Sequence, residues 1–447
     1  MKRLSFVLGI LVLGATTASA QTPTPPVLSI DEAIALALAH NRTVENATLV
    51  AEKANHDIAV ARSRRFPLFS VEAGVSQLLK PVDITFAQGT FGNFPGIGPV
   101  PATEATITTP MRPSMVVSAS ASQPLSQLPR LNLNVRLNEA VRDGDREQAR
   151  TARLATITDV KRLYYGILQT NSALRATEYQ VRLLEELTRV VGNRVTQQVA
   201  LKADSLDVET RLARVEVEQL TLRNTVASQK EQLNSLLGRD VRIDFDVAGV
   251  PEAAPSAISL EAAQSRAVAV RPDVAAARAK LRQAELSHRL ARAEYVPDIS
   301  LGVSYLSPVN IEGAPSVIAT AGIQMEWEPF DWGRKAQTSA ARAIEVRQAR
   351  NAVVDAEARA LIEVNSGFRK LDETRAKLRV ARLAEETARE NARMRLTQYS
   401  VQAALLTDAL QAQASLAAST HDSQQALLAL VVARAEFDQA IGEDGTK

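Results

Sequence analysis

The chain has 447 residues, and its 52 lysines and arginines against 50 aspartates and glutamates leave a formal net charge of +2. That balance gives no electrostatic footprint for nucleic acid, and the absence of cysteine excludes disulfides, thiolate metal ligands and lipid attachment at a cysteine. Aromatic residues are only 4% of the sequence, too few for a conventional large core, so long, closely packed helices rich in small side chains are the natural expectation.

The N-terminus reads as a secretory signal. Lys2 and Arg3 precede an apolar run from Leu4 to about Ala15, and Ala18-Ser19-Ala20 offers a small-residue cleavage site before Gln21. The run is shorter than the roughly 20 residues of a membrane-spanning helix. Cleavage removes two basic residues and leaves the opposite charges level.

From Leu28, "LSIDEAIALALAHNRTVENA" begins an alanine-rich, charged stretch that continues to "ARSRRFP". After Pro67 the pattern changes to strict alternation, with Phe69, Val71, Ala73 and Val75 set against Ser70, Glu72, Gly74 and Ser76. A Gly-, Pro- and Thr-rich loop from about Leu79 to Pro113 leads to "SMVVSASASQP", where Met115, Val117, Ala119 and Ala121 alternate again. This is a hairpin of two strands, about 68–124.

From about Leu131 the helical pattern returns. No proline occurs between Pro129 and Pro251, nor between Pro329 and Lys447, so two stretches of more than 100 residues lack the strongest helix breaker. Roughly 65 residues run from hairpin to turn, a reach of about 100 Å as helix. About 35 residues then return toward Gly238.

The second half repeats this plan. "ISLEAAQSRAVAVRPDVAAA" from Ile258 matches the stretch from Leu28 without a gap, and the same offset of 230 places Arg62 on Arg292, Pro67 on Pro297 and Ser70 on Ser300. "VPDISLGVSY" then gives Ile299, Leu301, Val303 and Tyr305 on one face. After a short loop near Pro308 to Pro315, "SVIATAGIQMEWEP" gives Val317, Ala319, Ala321, Ile323, Met325 and Trp327. This second hairpin covers about 298–329, and helix resumes at Arg334. Beyond the hairpins the offset is near 204, which places Asp204 on Asp408 and the closing "LLG" on "AIG".

The expected organisation is a signal peptide at 1–20, a first repeat over 21–250 with its helical hairpin at about 131–238, and a second over 251–447 with its helical hairpin at about 334–442. Strands of about ten residues suit a tilted membrane crossing. Four strands cannot close a barrel, and lipid tolerates no open strand edge, so strands meeting lipid would require several chains in one barrel. A soluble hairpin packed on the helices is the alternative.

These features together resemble the TolC family of outer-membrane efflux and export channels over Leu28 to Gly442. The residues carrying the resemblance are "LSIDEAIALALAHN", "RRFPLFSVEAGVS", "VPDISLGVSY" followed by "EWEPFDWGRKA", the acidic "DSLDVETRLARVEVEQL" and the terminal "LNSLLG", in an order found twice. The resemblance implies a mainly α fold with a small β part: long helical hairpins and two β-hairpins per chain, trimerising into a twelve-stranded barrel and a helical periplasmic tunnel. It implies a passive exit duct in the outer membrane of a Gram-negative bacterium. A periplasmic adaptor and an inner-membrane transporter of the RND, ABC or MFS type would supply energy and recognition, for small-molecule efflux by default or for protein secretion.

The family's aperture motif maps onto Tyr399, Gln402, Asp408 and Gln411, where its glycine and second aspartate are missing, and in the first half onto Asp204 and Asp207, where Val195 replaces the aromatic. A ring of Asp408 carboxylates at a constriction would favour cations; the residue could latch to Arg393 or Arg395, or simply cap a helix. The expected lipid-facing residues are Phe69, Val71, Val75, Met115, Val117, Ile299, Leu301, Val303, Tyr305, Val317, Ile323, Met325 and Trp327.

No cofactor, metal or catalytic constellation is expected. His40, His56, His288 and His421 stand apart, and no phosphate-binding glycine loop occurs. A periplasmic adaptor would show one helical hairpin flanked by β-rich domains. A structural coiled coil would leave the alternating strands and the duplication unexplained.

Overall fold

The structure is a computed structural model that describes residues 26–108, 111–199, 201–249, 258–310, 315–401 and 403–443. The signal segment with its cleavage point after Ala20, and Gln402 of the aperture motif, lie outside the described residues.

Elements follow the duplication closely. In the first half β1 (Val27–Leu28) precedes α1 (Ile30–His40) and α2 (Arg42–Ser63). A long hairpin follows, formed by β2 (Leu68–Gln77) and β7 (Pro113–Pro124). The second half starts with α5 (Leu260–Val270) and α6 (Pro272–Ala293), each beginning 230 residues after its counterpart, and β9 (Asp298–Val309) and β10 (Ile318–Glu326) make the second hairpin. The long proline-free stretches form the helix α3 (Leu128–Thr196, 69 residues), whose one proline, Pro129, lies in its first turn, with its return α4 (Lys202–Leu236, 35 residues), and α7 (Arg334–Ser400, 67 residues) with α8 (Leu406–Ile441, 36 residues).

The connector from Leu79 to Pro113 is more ordered than its composition suggested. β3 (Asp83–Phe86) pairs with β6 (Ala105–Thr108), and β4 (Asn93–Phe94) pairs with β5 (Gly98–Pro99). Pairs of two to four residues carry no readable alternation, so their periodicity is invisible in the sequence.

The chain forms two compact units. One takes Leu38–Asp159, Ala254–Val380 and the chain from Ala429 onward. It holds the four-stranded antiparallel sheet, in the order β10-β9-β7-β2, and a helical core in which Ala263, Ala267, Ala433 and Ala440 surround Val364, Leu371, Phe437 and Ile441. Alanine is what allows this core to close with few aromatics, because helices meeting at a methyl group approach nearly backbone to backbone. Phe437 lies over Gly367, where an added Cβ would stand 3.2 Å from the ring.

The α1–α2 and α5–α6 breaks are made with different chemistry. Asn41 caps α2, its Oδ1 accepting from the amides of Thr43 and Val44 at 2.9 and 3.2 Å. At the equivalent break Arg271 gives no side-chain cap, and Pro272 takes the first helical position. The Arg271 guanidinium instead reaches Asp273 at 2.7 Å, Glu363 at 2.6 Å and the carbonyl of Ala440 at 3.1 Å, and the residue is buried. Arg42 stands where the second half has Pro272, and the helix boundary is held there by the Asn41 cap.

The other unit takes the chain up to Ala37, Val160–Ala253 and Ala381–Leu428. There β1 pairs in parallel with β8 (Asp246–Val247). The fully buried Tyr164 places its hydroxyl 2.8 Å from the Leu28 carbonyl and 2.9 Å from that of Ala248, one proton shared between two acceptors. Burial, and then the neighbouring Tyr164, push the Tyr165 phenol up to about 12. Buried Asn234 donates to the carbonyls of Val241 and Ile243 and accepts from Arg239, whose guanidinium lies 4.5 Å from the centre of the buried Phe245 ring.

Candidate functional site

Two surfaces carry the sequence-predicted residues: the sheet and the helix turns. On the sheet, register fixes the faces. Phe69 opposes Ala121, Val71 opposes Ala119, Ala73 opposes Val117 and Val75 opposes Met115. Beyond them Ala121 and Ala119 oppose Val303 and Tyr305, which oppose Ala321 and Ala319; Leu301 opposes Ile323 and Ile299 opposes Met325. One face is therefore largely apolar across all four strands, interrupted by Ser307 opposite Val117 and by the strand-end glutamines Gln77 and Gln123. Of the thirteen expected residues only Val117 and Ile299 are half-buried; the rest, including Val317 and Trp327 just beyond the ends of β10, are exposed.

The opposite face is hydroxyl-rich. Ser70, Ser120, Ser304 and Thr320 form one row across the strands, with Ser70 and Ser120 hydrogen-bonded at 2.8 Å and Ser304 and Thr320 at 2.6 Å. Gly302 and Gly322 sit side by side in the adjoining row. Strands β2 and β10 are the edges, each with one ladder unpaired within the chain.

The two strand-to-helix junctions differ. After β10, Asp331 Oδ1 accepts from the Gly333 amide at 3.1 Å and Oδ2 from the Lys335 amide at 2.8 Å. Those donors, with the Lys335 bond foremost, hold its carboxyl below the ordinary aspartate range. Trp332 and Gly333 both take the left-handed conformation, with φ of 55° and 85°. Trp332 is 90% exposed and packs edge-on to the exposed Phe330 at 4.8 Å, so this ring lies outside any core. After β7, Ser126 does the equivalent work: its hydroxyl donates to the Pro297 carbonyl at 2.6 Å and accepts from the Ile299 amide at 2.7 Å, while Arg130 pairs with Asp298 at 2.8 Å.

At the turns, Asp204 and Asp408 occupy the same place on their return helices. Asp204 accepts from the Leu201 amide at 3.1 Å, and Asp408 faces the Leu405 amide at a longer 3.4 Å. Both are exposed, as are Asp207, Tyr399 and Gln411. Asp207 pairs with Arg211 one turn on, at 2.8 Å. Arg393 binds Glu390 and Arg395 contacts Gln398, so within one chain both arginines engage their own helix rather than Asp408. Two arginines elsewhere on the helices are also paired: Arg62 meets Glu139 at 2.8 Å and Arg278 meets Glu357 at 2.6 Å.

Sequence reasoning missed a cavity of about 320 Å³ in the unit that contains the turns. It lies between α3 and α8, beside the contact of His421 Nδ1 with the Ser172 hydroxyl at 3.2 Å, and Arg175, Tyr179 and Gln424 line it. Its lining recurs at helical spacing on both helices, but their pairing is long-range and leaves no local mark. Among the described residues no group of metal-ligating side chains converges, and no helix is long and apolar enough to cross a membrane.

Comparison with known proteins agrees with this architecture. The family model described as outer membrane efflux protein matches residues 33–239 and 263–443. A membrane protein from Pseudomonas aeruginosa superimposes with a TM-score of 0.74 at 18% identity, covering 92% of this chain and 93% of that one. The Campylobacter jejuni CmeC outer membrane channel gives 0.74 at 15% identity, covering 98% and 94%, and the open-state Neisseria gonorrhoeae MtrE outer membrane channel gives 0.69 at 17%, covering 93% and 89%. An uncharacterized Haemophilus influenzae protein is 23% identical over 198 residues, a stretch that spans 42% of this chain and 43% of that relative. The matched segments take in both helical hairpins and both β-hairpins, and the chain belongs to the outer membrane efflux protein family, the TolC-like, non-enzymatic channels of Gram-negative outer membranes.

Proposed function

We propose that three copies of this chain share one twelve-stranded barrel in the outer membrane, each contributing β2, β7, β9 and β10. The observation that carries this reading is a four-stranded sheet with both edges open and one face largely apolar and exposed. In lipid each unpaired backbone group costs several kcal/mol, and closure across copies removes the edges. Channels of this family are trimers. Phe69, Val71, Val75, Ile323 and Met325 then face lipid, and Trp327, Phe330 and Trp332 lie at the membrane boundary, where amphipathic rings are favoured.

The helical hairpins extend into the periplasm as a tunnel. Asp408, with Tyr399, Gln402, Gln411, Asp204 and Asp207, surrounds its far aperture. The duct is passive: a periplasmic adaptor opens it, and an RND, ABC or MFS transporter of the inner membrane delivers cargo, small molecules foremost. Cleavage after Ala20 releases the mature chain into the periplasm for assembly.

Membrane fractionation tests the assembly: the expected product is an outer-membrane trimer that survives mild detergent, and recovery as a soluble periplasmic monomer refutes it. For the aperture, Asp408→Ala should change cation block or single-channel conductance in planar bilayers. Unaltered conductance and ion selectivity would remove Asp408 from the constriction.

A further inference from the structure

The polar face of the sheet carries a charge that the aperture does not explain. The four long strands contain no lysine, arginine or histidine, and their ionisable carboxylates are Glu72, Asp298 and Glu326. Asp298 and Glu326 oppose each other at the strand ends, and Asp298 is paired with Arg130. Glu72 is different. It sits in mid-strand on β2, exposed, opposite Ser118, with no hydrogen-bond or ion-pair partner among the described residues.

Its neighbours make it prominent. Ser70 and Gly74 flank it on the same face of β2, and its row continues through Ser118 to Leu306 and Ile318. The adjoining row is the all-hydroxyl one of Ser70, Ser120, Ser304 and Thr320. Its nearest neighbours, Ser70, Gly74 and Ser118, are all short, so the carboxylate projects beyond them, and its row offers no cation to neutralise it.

We propose that Glu72 sets the charge preference of the exit barrel: three copies form a carboxylate ring inside the lumen that favours cations and repels anions, independently of the helix-tip aspartates. This inference rests on the trimeric-barrel reading, which turns the hydroxyl-rich face inward. Twelve tilted strands about 4.8 Å apart enclose a barrel of roughly 12 Å backbone radius. Glutamates reaching inward from that wall come within about one Debye length, 8 Å at physiological ionic strength, of the axis. Their field therefore covers the lumen instead of hugging its wall, as in other channels whose selectivity comes from rings of acidic side chains.

The test is the reversal potential of the reconstituted channel under a KCl gradient in planar bilayers. Glu72→Gln and Glu72→Lys are compared in an Asp204→Asn/Asp408→Asn background, so that tip carboxylates in series do not dominate. The potassium-to-chloride permeability ratio is expected to fall at least about two-fold with Glu72→Gln and further with Glu72→Lys. Conducting channels whose ratio is the same for all three overturn the proposal. A second measurement uses Glu72→Cys in this cysteine-free chain: a water-soluble cationic thiol reagent added from the barrel side should react and lower conductance. A position that conducts normally but stays unreactive faces lipid, and that also overturns it. If the unaltered chain forms no pores at all, the trimeric-barrel reading fails first and this inference with it.

Discussion

The two halves of the molecule build the same backbone events from different side chains. At the first helix break a neutral Asn41 caps two amides; at the second a buried Arg271 holds two carboxylates and a carbonyl. At the strand-to-helix junctions Asp331 gathers amides from its own turn, whereas Ser126 ties its turn to the start of β9. A duplicated fold thus preserves where the chain bends and leaves open how each bend is stabilised. The second-half solutions centre on a charged side chain and the first-half ones on a neutral Asn41 or Ser126, with the Arg130–Asp298 ion pair added at the first strand-to-helix junction.

The largest test of this contrast is Arg271→Ala. It strips a buried cation from Asp273 and Glu363, and a loss of about 3 kcal/mol is expected. Asn41→Ala should cost about 1 kcal/mol, the worth of one cap. Thermal unfolding of the detergent-solubilised protein reads both, and equal effects would break the contrast. Next, Ser126→Ala should cost about 1–2 kcal/mol, since it leaves the Ile299 amide without its acceptor. Asp331→Ala should lower the melting temperature too, with the damage confined to the local turn. Hydrogen exchange separates the two, because only the serine variant should loosen the start of β9.

A smaller effect concerns acid. Burial pushes the Asp273 carboxyl up, but its bonds to Arg271, that residue's charge and two backbone donors outweigh burial and hold it below the ordinary range. Asp331 is also depressed. The unfolded chain then binds more protons at low pH, so these contributions are present above about pH 4 and are lost as pH falls through the folded values. Arg271→Ala should flatten the acid limb of the melting profile, and an unchanged limb would exclude Asp273 as its source. The smallest effect belongs to the turns. Asp204→Asn and Asp408→Asn keep an N-terminal acceptor on exposed residues, so melting should shift by no more than about 2 °C.

Much of this architecture was legible in the residues. Alternation from Phe69 to Val75 and from Ile299 to Tyr305 named the apolar face, because a strand's period of two maps sequence directly onto sides. The absence of proline announced the long helices. Other features escaped. Residues 83–108 pair in ribbons too short to show a period. The lattice around Arg271 joins residues 92 positions apart in sequence, and nothing near Arg271 points to Glu363. The aspartate motif was readable at the turns, but the structure adds only that Asp204 and Asp408 occupy equivalent capping positions; a ring needs neighbours that one chain does not contain.

The alanine-lined helix core has a consequence for how such a protein can change over time. Ala263 and Ala267 are fully buried there, as are Ala279 and Ala360 elsewhere in the same unit and Ala33 and Ala37 in the other, and each sets the spacing of its own helix by the room it declines to fill. Enlarging any of them forces a helix outward along its whole length, while residues on the wet side of the same helix can be exchanged almost freely. Lineages carrying this design can therefore diverge until little recognisable text remains, provided that the gaps stay where they are.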